Sequence, residues 1–304
     1  MTASRPTLDL RALSTEQRNL SSEMLDTLSP EQIARIINDA DKNVIPAISH
    51  QLPNIARAIE VIARAIAEGG RLIYVGAGTS GRIAALDASE IPPTFNLPPT
   101  AVQAVMAGGA KALIAAAEYN EDSRKDGERD LAKKKPKKGD VVCGIAASGR
   151  TPYTVAAIEY ARAQGAKTVA LVCSPGSPLE RAAEIAIVAE VGPEVVTGST
   201  RMKAGTAQKM ILNMLTTGAM ARLGYVFGNL MVNVHLKNEK LMERGIAILQ
   251  AAAECDRERA VKALKASGKN VPIALIMLKT GAKKAEAEKR LKAAKGNVRR
   301  AISL

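Results

Sequence analysis

Arg71-Leu-Ile-Tyr-Val-Gly-Ala-Gly-Thr-Ser-Gly-Arg82 is a short apolar run that opens into a turn of glycines and hydroxyls. Arg71 to Val75 reads as a short apolar strand, and Arg82 to Glu90 continues with helical spacing until Pro92-Pro93, which is expected to stop the helix. The same order returns further on. Asp140 to Ala146 reads as a strand, Ala147-Ser-Gly-Arg-Thr-Pro-Tyr153 as a loop, and Thr154 to Gln164 as a helix ended by Gly165. Ala101 to Met106, Thr168 to Cys173 and Ile185 to Val191 read as further strands, and Ala110 to Tyr119 as a helix. Strands alternating with helices predict an α/β fold: a doubly wound parallel sheet flanked by helices on both faces. In such a sheet ligands bind at the carboxyl ends of the strands, where both glycine-rich loops fall.

Outward from this centre, residues 1–20, with Thr7, Ser14 and Thr15, read as a mobile arm or a substrate-covering segment. Ser29-Pro30-Glu31-Gln32 is a helix-start signal, with Ser at the cap, Pro at the first position and Gln at the third. A helical stretch from Val44 to Ala67 contains Pro53, which is expected to kink or break it. A long helix is expected from Ala204 to Leu223, then helix or loop plus helix from Asn229 to Glu254. The Ala- and Lys-rich remainder reads as a small three-helix module. The division is 1–53 (arm and N-terminal helices), 54–225 (the sheet domain), 226–255 (a connecting helical segment) and 256–304 (the C-terminal module).

Of 304 residues 47% are hydrophobic, enough for a sizeable core, while aromatics are 2% with no Trp. The core is therefore aliphatic, and aromatic platforms for stacking single-stranded bases are scarce. The net charge of +13 favours anionic ligands. Much of it lies in Lys133 to Lys138 and beyond Lys262, where it reads as solvated surface rather than a nucleic-acid site. Cys143, Cys173 and Cys255 are too scattered for a metal site, and His50 and His235 read as structural. No metal or other cofactor, no nucleic acid and no membrane partner is expected. The absence of a signal-peptide pattern or a bilayer-length apolar run leads to a cytoplasmic expectation.

Gly78-Thr79-Ser80-Gly81 and Ser148-Gly149-Arg150-Thr151 share one design. Each offers hydroxyls and exposed backbone N–H groups just before a helix, whose dipole favours an anion. Gly76-x-Gly78-x-x-Gly81 superficially matches a dinucleotide fingerprint, but the next strand ends in Met106-Ala-Gly-Gly109, without the acidic residue that grips a ribose. Neither loop ends in the Gly-Lys-Ser/Thr of a nucleotide P-loop. A phosphate monoester fits best, with Thr79, Ser80, Ser148, Gly149 and Thr151 around it.

Residues 72–82 with Asp87-Ala-Ser-Glu-Ile-Pro-Pro-Thr94, residues 144–153, residues 194–209, residues 226–232, Asn238-Glu-Lys-Leu241 and Ile36-Ile-Asn-Asp-Ala-Asp-Lys42 together resemble the signatures of the N-acetylmuramic acid 6-phosphate etherases, which carry the sugar isomerase (SIS) fold. The resemblance covers nearly the whole chain. The related glucokinase regulatory proteins are longer and carry the domain twice, so the single copy favours the enzyme over a sugar-phosphate-sensing regulator.

The resemblance implies a cofactor-free reaction that removes D-lactate from carbon 3 of the sugar phosphate by elimination and water addition. It also implies a homodimer with the site near the subunit interface. Glu90 matches the family's acid/base residue, and Glu121, in Asn120-Glu-Asp-Ser123, a second carboxylate. The preceding Tyr119-Asn120 departs from the family's Gly-Ala. Lys240 is a rival base. Ser199, Thr200, Arg201 and Lys203 belong to the third motif and are expected at the sugar or the lactyl group, with Arg201 and Lys203 suited by charge to a carboxylate.

Overall fold

The computed structural model describes residues 14–115, 120–236 and 238–304. Its first helix, α1 (Pro30–Asp41), starts with the cap anticipated from sequence. Ser29 Oγ accepts from the Gln32 N–H, and Gln32 Oε1 accepts from the Ser29 N–H at 2.9 Å. The stretch from Val44 to Ala67 is two helices, α2 (Val44–Ser49) and α3 (Leu52–Ala67). Pro53 lies in the first turn of α3, where its missing N–H leaves no bond unmade.

Five strands follow with their helices: β1 (Leu72–Gly76), α4 (Gly78–Phe95), β2 (Val102–Met106), α5 (Arg124–Ala132), β3 (Val141–Ile145), α6 (Pro152–Ala163), β4 (Lys167–Val172), α7 (Pro178–Ala182) and β5 (Ile185–Val188). All pairings are parallel, in the order β2-β1-β3-β4-β5. Alternate residues enter opposite cores, as the two-residue period of a strand requires. Leu72, Tyr74, Cys143 and Leu171 pack with α2, α3, α4 and a long helix α8 (Lys203–Leu223). Ile73, Val75, Val142 and Ala170 pack with α5, α6 and α7. At the amino ends of the strands, the fully buried Asp140 accepts from the Arg71 N–H at 3.0 Å, the Arg71 guanidinium and the Lys137 N–H. At the β5 edge, the Val188 N–H donates to Gln51 Oε1 at 3.1 Å, in the junction between α2 and α3.

Two local readings are corrected. Pro92 and Pro93 lie inside α4, which runs one more turn and stops at Asn96 in a left-handed conformation. Their missing N–H groups deprive the Ala88 and Ser89 carbonyl oxygens of the usual i→i−4 donors in the last two turns without ending the helix. In place of a helix over 110–119 there is a single 3-10 turn at Gly109–Leu113; residues 116–119 lie outside those described.

Beyond α8, residues from Val232 to Ala301 build a separate core around α9 (Glu239–Ala253), α10 (Arg257–Ala266), α11 (Val271–Thr280), α12 (Lys284–Ala293) and α13 (Val298–Ser303). The C-terminal stretch thus holds four helices where three were anticipated, because Asn297 caps a short last one. Among the described residues no helix is long and apolar enough to cross a membrane.

Candidate active site

The strand order reverses between β1 and β3, whose carboxyl ends, Gly76 and Ile145, lie side by side. A cavity of about 440 Å³ opens there between the loop after each strand. Its first wall is the N-terminus of α4. Gly81 lets that helix sit directly on β1, since a Cβ would come within 2.9 Å of the Gly76 carbonyl oxygen and 2.7 Å of Met106 Cγ. The first N–H groups of the helix, at Gly78, Thr79 and Ser80, therefore face the cavity region without intrahelical acceptors.

The second wall is the loop before α6. Gly149 turns it at φ +64°, pressed so closely on Ser177 that a Cβ would lie 2.2 Å from the serine Oγ. Thr151 makes no side-chain capping bond to α6, so its hydroxyl is not spent on the helix. The Tyr153 N–H in the first turn of α6 instead donates to the Glu121 carbonyl oxygen at 3.0 Å. That bond ties Glu121 to the same helix start as Thr151, and both line the cavity.

Thr79, Ser80, Ser148, Thr151, Thr200 and Glu121 are thus brought together from the residues named on sequence grounds. Gly149 shapes the wall without lining it. Ser199 and Arg201 flank Thr200 outside the lining, Arg201 being exposed.

Lys203 is placed differently from its sequence-based expectation as a carboxylate ligand. It is 2% exposed, and its Nζ donates to the Pro193 carbonyl oxygen at 2.6 Å, outside the cavity lining. Burial pushes its ammonium pKa down, opposed by the nearby Glu194. Glu194 is itself buried and accepts the first N–H groups of α8, from Lys203 at 3.1 Å and Ala204 at 2.9 Å. The pair anchors the start of α8.

Glu90 and Lys240 are also outside this lining. Glu90 is exposed on α4, roughly 15 Å along the helix axis from Ser80 at 1.5 Å per residue. Lys240 is exposed in the first turn of α9, whose capping residue Asn238 accepts from the Leu241 N–H.

Three side chains near the loops escaped the sequence reading. Arg82 lines the cavity and donates to the carbonyl oxygens of Leu113 (3.2 Å) and Ala115 (3.1 Å). Glu16 lines it from the N-terminal segment. Gln208, on α8, accepts from the Ser80 hydroxyl at 3.0 Å. Arg82 and Gln208 both lie within quoted motifs, so their position there was the available signal; for Glu16 the only signal was its place in residues 1–20, read as a mobile arm or a substrate-covering segment.

Underneath, α4 is clamped. The buried Asp87 accepts from Tyr74 Oη (2.9 Å), Asn213 Nδ2 (2.8 Å) and Thr216 Oγ1 (3.2 Å). Burial raises its carboxyl pKa, against those hydrogen bonds.

A five-stranded parallel sheet with hydroxyl-bearing loops at its reversal point defines the class as a SIS-domain protein. The SIS domain model matches residues 110–218, and the model for the glucokinase regulatory protein N-terminal SIS domain matches residues 54–162. The fold is shared with a phosphoheptose isomerase from Francisella tularensis, at TM-score 0.51 and 21% identity over 63% of this chain and 98% of that one.

The chain belongs to the N-acetylmuramic acid 6-phosphate etherase family. Proteins of that name from Edwardsiella ictaluri (50% identical, 97% of this chain and 98% of that one) and Klebsiella aerogenes (47%, 97% and 99%) match it end to end. One from Symbiobacterium thermophilum is 53% identical over 90% of this chain and 91% of its own.

Proposed function

We propose that this chain is a carbon-oxygen lyase that cleaves the D-lactyl ether of N-acetylmuramic acid 6-phosphate, giving N-acetylglucosamine 6-phosphate and D-lactate in the recycling of cell-wall amino sugars in the cytoplasm. The observation that carries the reading is that Glu121, one of two carboxylates lining the cavity, lies beside two hydroxyl loops at the sheet's reversal point, in a chain of this family.

The α4 N-terminus, Thr79, Ser80, Ser148 and Thr151 bind the phosphate, and this fixes the sugar. In the open-chain aldehyde the proton on carbon 2 is acidic. Glu121 removes it, the electron pair forms the carbon 2–carbon 3 double bond, and the bond from carbon 3 to the lactyl oxygen breaks. An acid protonates the departing oxygen. Water then adds at carbon 3, and a proton returns to carbon 2. Holding the base and the reacting carbon in one geometry supplies much of the rate.

We assign the acid to Glu90 of a second copy of the chain. Its place far along α4 keeps it from its own cavity. Its exposed stripe of Leu86, Ser89, Glu90 and Pro93 is a face for another subunit to cover. A homodimer in which each subunit lends Glu90 to the other's cavity follows. Incubation with N-acetylmuramic acid 6-phosphate tests the reading: the parent releases D-lactate, and Glu121→Gln releases none. A folded parent that binds the sugar phosphate without releasing lactate is instead a sensor of the same ligand.

A further inference from the structure

Neither phosphate binding nor the elimination uses Glu16, yet its side chain lines the cavity. It sits on a strap, residues 14–22, laid over the carboxyl end of the sheet and the segment leading to α8. Three side chains tie the strap down: Ser14 Oγ donates to the Cys173 carbonyl oxygen (3.4 Å), Asn19 Nδ2 to that of Pro193 (3.4 Å), and Ser22 Oγ to that of Val195 (2.8 Å). Thr15, next to Glu16, is 2% exposed. The carboxylate rests against Gly198, where a Cβ would stand 3.0 Å from Oε2; a larger residue there would crowd it. Gly198 and Thr200 line the cavity beside it.

The charge of Glu16 limits what it can meet. A carboxylate repels a phosphate dianion and a lactyl carboxylate alike, so it is not a ligand for either. Ionised, it has only acceptors to offer; the Arg82 guanidinium in the same lining is turned to the Leu113 and Ala115 carbonyl oxygens, and beside walls of hydroxyls and N–H groups Glu16 is suited to neutral O–H donors. On a sugar phosphate these are the hydroxyl groups of the sugar. We infer that Glu16 accepts hydrogen bonds from the sugar hydroxyls, so that the N-terminal strap reads the sugar while the two loops read the phosphate. This deepens the sugar-phosphate reading given above and rests on it.

Calorimetric titration with two probes, inorganic phosphate and N-acetylglucosamine 6-phosphate, separates the two halves of the site without turnover. Glu16→Gln is expected to weaken the sugar phosphate roughly tenfold or more, the effect of losing a charge-assisted hydrogen bond, while phosphate stays within about twofold. Glu16→Asp, which keeps the charge and withdraws it by one methylene, is expected to show the same selective loss if the amide variant does not fold. Ser22→Ala loosens the strap without touching the carboxylate and is expected to cost less than Glu16→Gln.

Unchanged affinity for both probes in Glu16→Gln overturns the inference. Equal changes for both, or a loss in Ser22→Ala as large as in Glu16→Gln, also overturn it. A parent that binds the sugar phosphate but releases no lactate overturns the etherase reading alone. A parent that binds phosphate and not the sugar phosphate overturns both.

Discussion

The Ser80 hydroxyl donates to the side-chain carbonyl of Gln208 at 3.0 Å, and the other end of that amide, Nε2, is a buried donor without a hydrogen-bond partner among the described residues. A hydroxyl has one proton, so Ser80 cannot donate to Gln208 and to a phosphate oxygen together. If the amide turns over, Nε2 donates to Ser80 Oγ and the serine proton is released to the anion. Gln208→Glu is an acceptor when ionised, holding Ser80 as a donor and adding negative charge. It should raise KM roughly tenfold to a hundredfold, the effect of spoiling a charge-assisted hydrogen bond, with a smaller change in kcat. Gln208→Met, which releases the serine, should raise KM less. Steady-state kinetics of D-lactate release checks both.

The proposal that two chains share the site makes a prediction of its own. Glu90→Gln and Glu121→Gln should each abolish lactate release as separate proteins. Unfolded together and refolded as a mixture, they should regain up to about a quarter of parental activity, because half the dimers are mixed and each holds one intact site. Activity that stays at zero in refolded mixed dimers would place both residues in the same chain's site.

Asp140→Ala should lower stability by about 3–5 kcal/mol, since it breaks the ion pair, leaving the Arg71 guanidinium only the Lys134 and Lys135 carbonyl oxygens, and leaves two backbone N–H groups without their acceptor. Denaturant titration measures this. Phosphate affinity of the folded fraction should be unchanged, because the pair lies at the opposite end of β1 and β3 from the cavity.

Asp87 gives a pH signature. Its carboxyl pKa is raised in the folded chain by burial, so between the ordinary carboxylate value and the raised one the folded state binds more protons than the unfolded state. Stability from this group is therefore highest at low pH and falls as pH rises through that window, levelling off above it. The difference in unfolding free energy between the parent and Asp87→Asn should slope downward with rising pH in that interval and be flat above it. An upward slope would reverse the assignment.

The central strands β1 and β3 were legible because each is a continuous apolar run, as a parallel strand buried on both faces must be, and β2, β4 and β5 because their runs are interrupted only by Gln103 or by Lys167-Thr168 at the start. Thr79, Ser80, Ser148 and Thr151 could be grouped from sequence because glycine, hydroxyl and helix start lie within a few residues, and the structure places them on one cavity. Pro92 and Pro93 misled because their effect depends on how near the helix end they fall. Lys203 misled because a cation beside Arg201 looks the same in sequence whether its head meets a substrate or the Pro193 carbonyl. Glu16 was not singled out, although the stretch that holds it could be read as a substrate-covering segment. It reaches the cavity only because hydrogen bonds to Cys173, Pro193 and Val195, more than 150 residues away, fold the strap over the sheet.

Gln51 has a consequence for how the molecule meets its own copies. The outer side of β5 would otherwise present its backbone to solvent as a template for another strand, the usual route by which exposed sheet edges recruit neighbours into aggregates. The side-chain amide of Gln51 occupies the Val188 N–H, with α3 packed alongside. A single glutamine, set at the break between two helices, stands where a sixth strand would begin. A strand added at this point of the edge would first have to displace that amide.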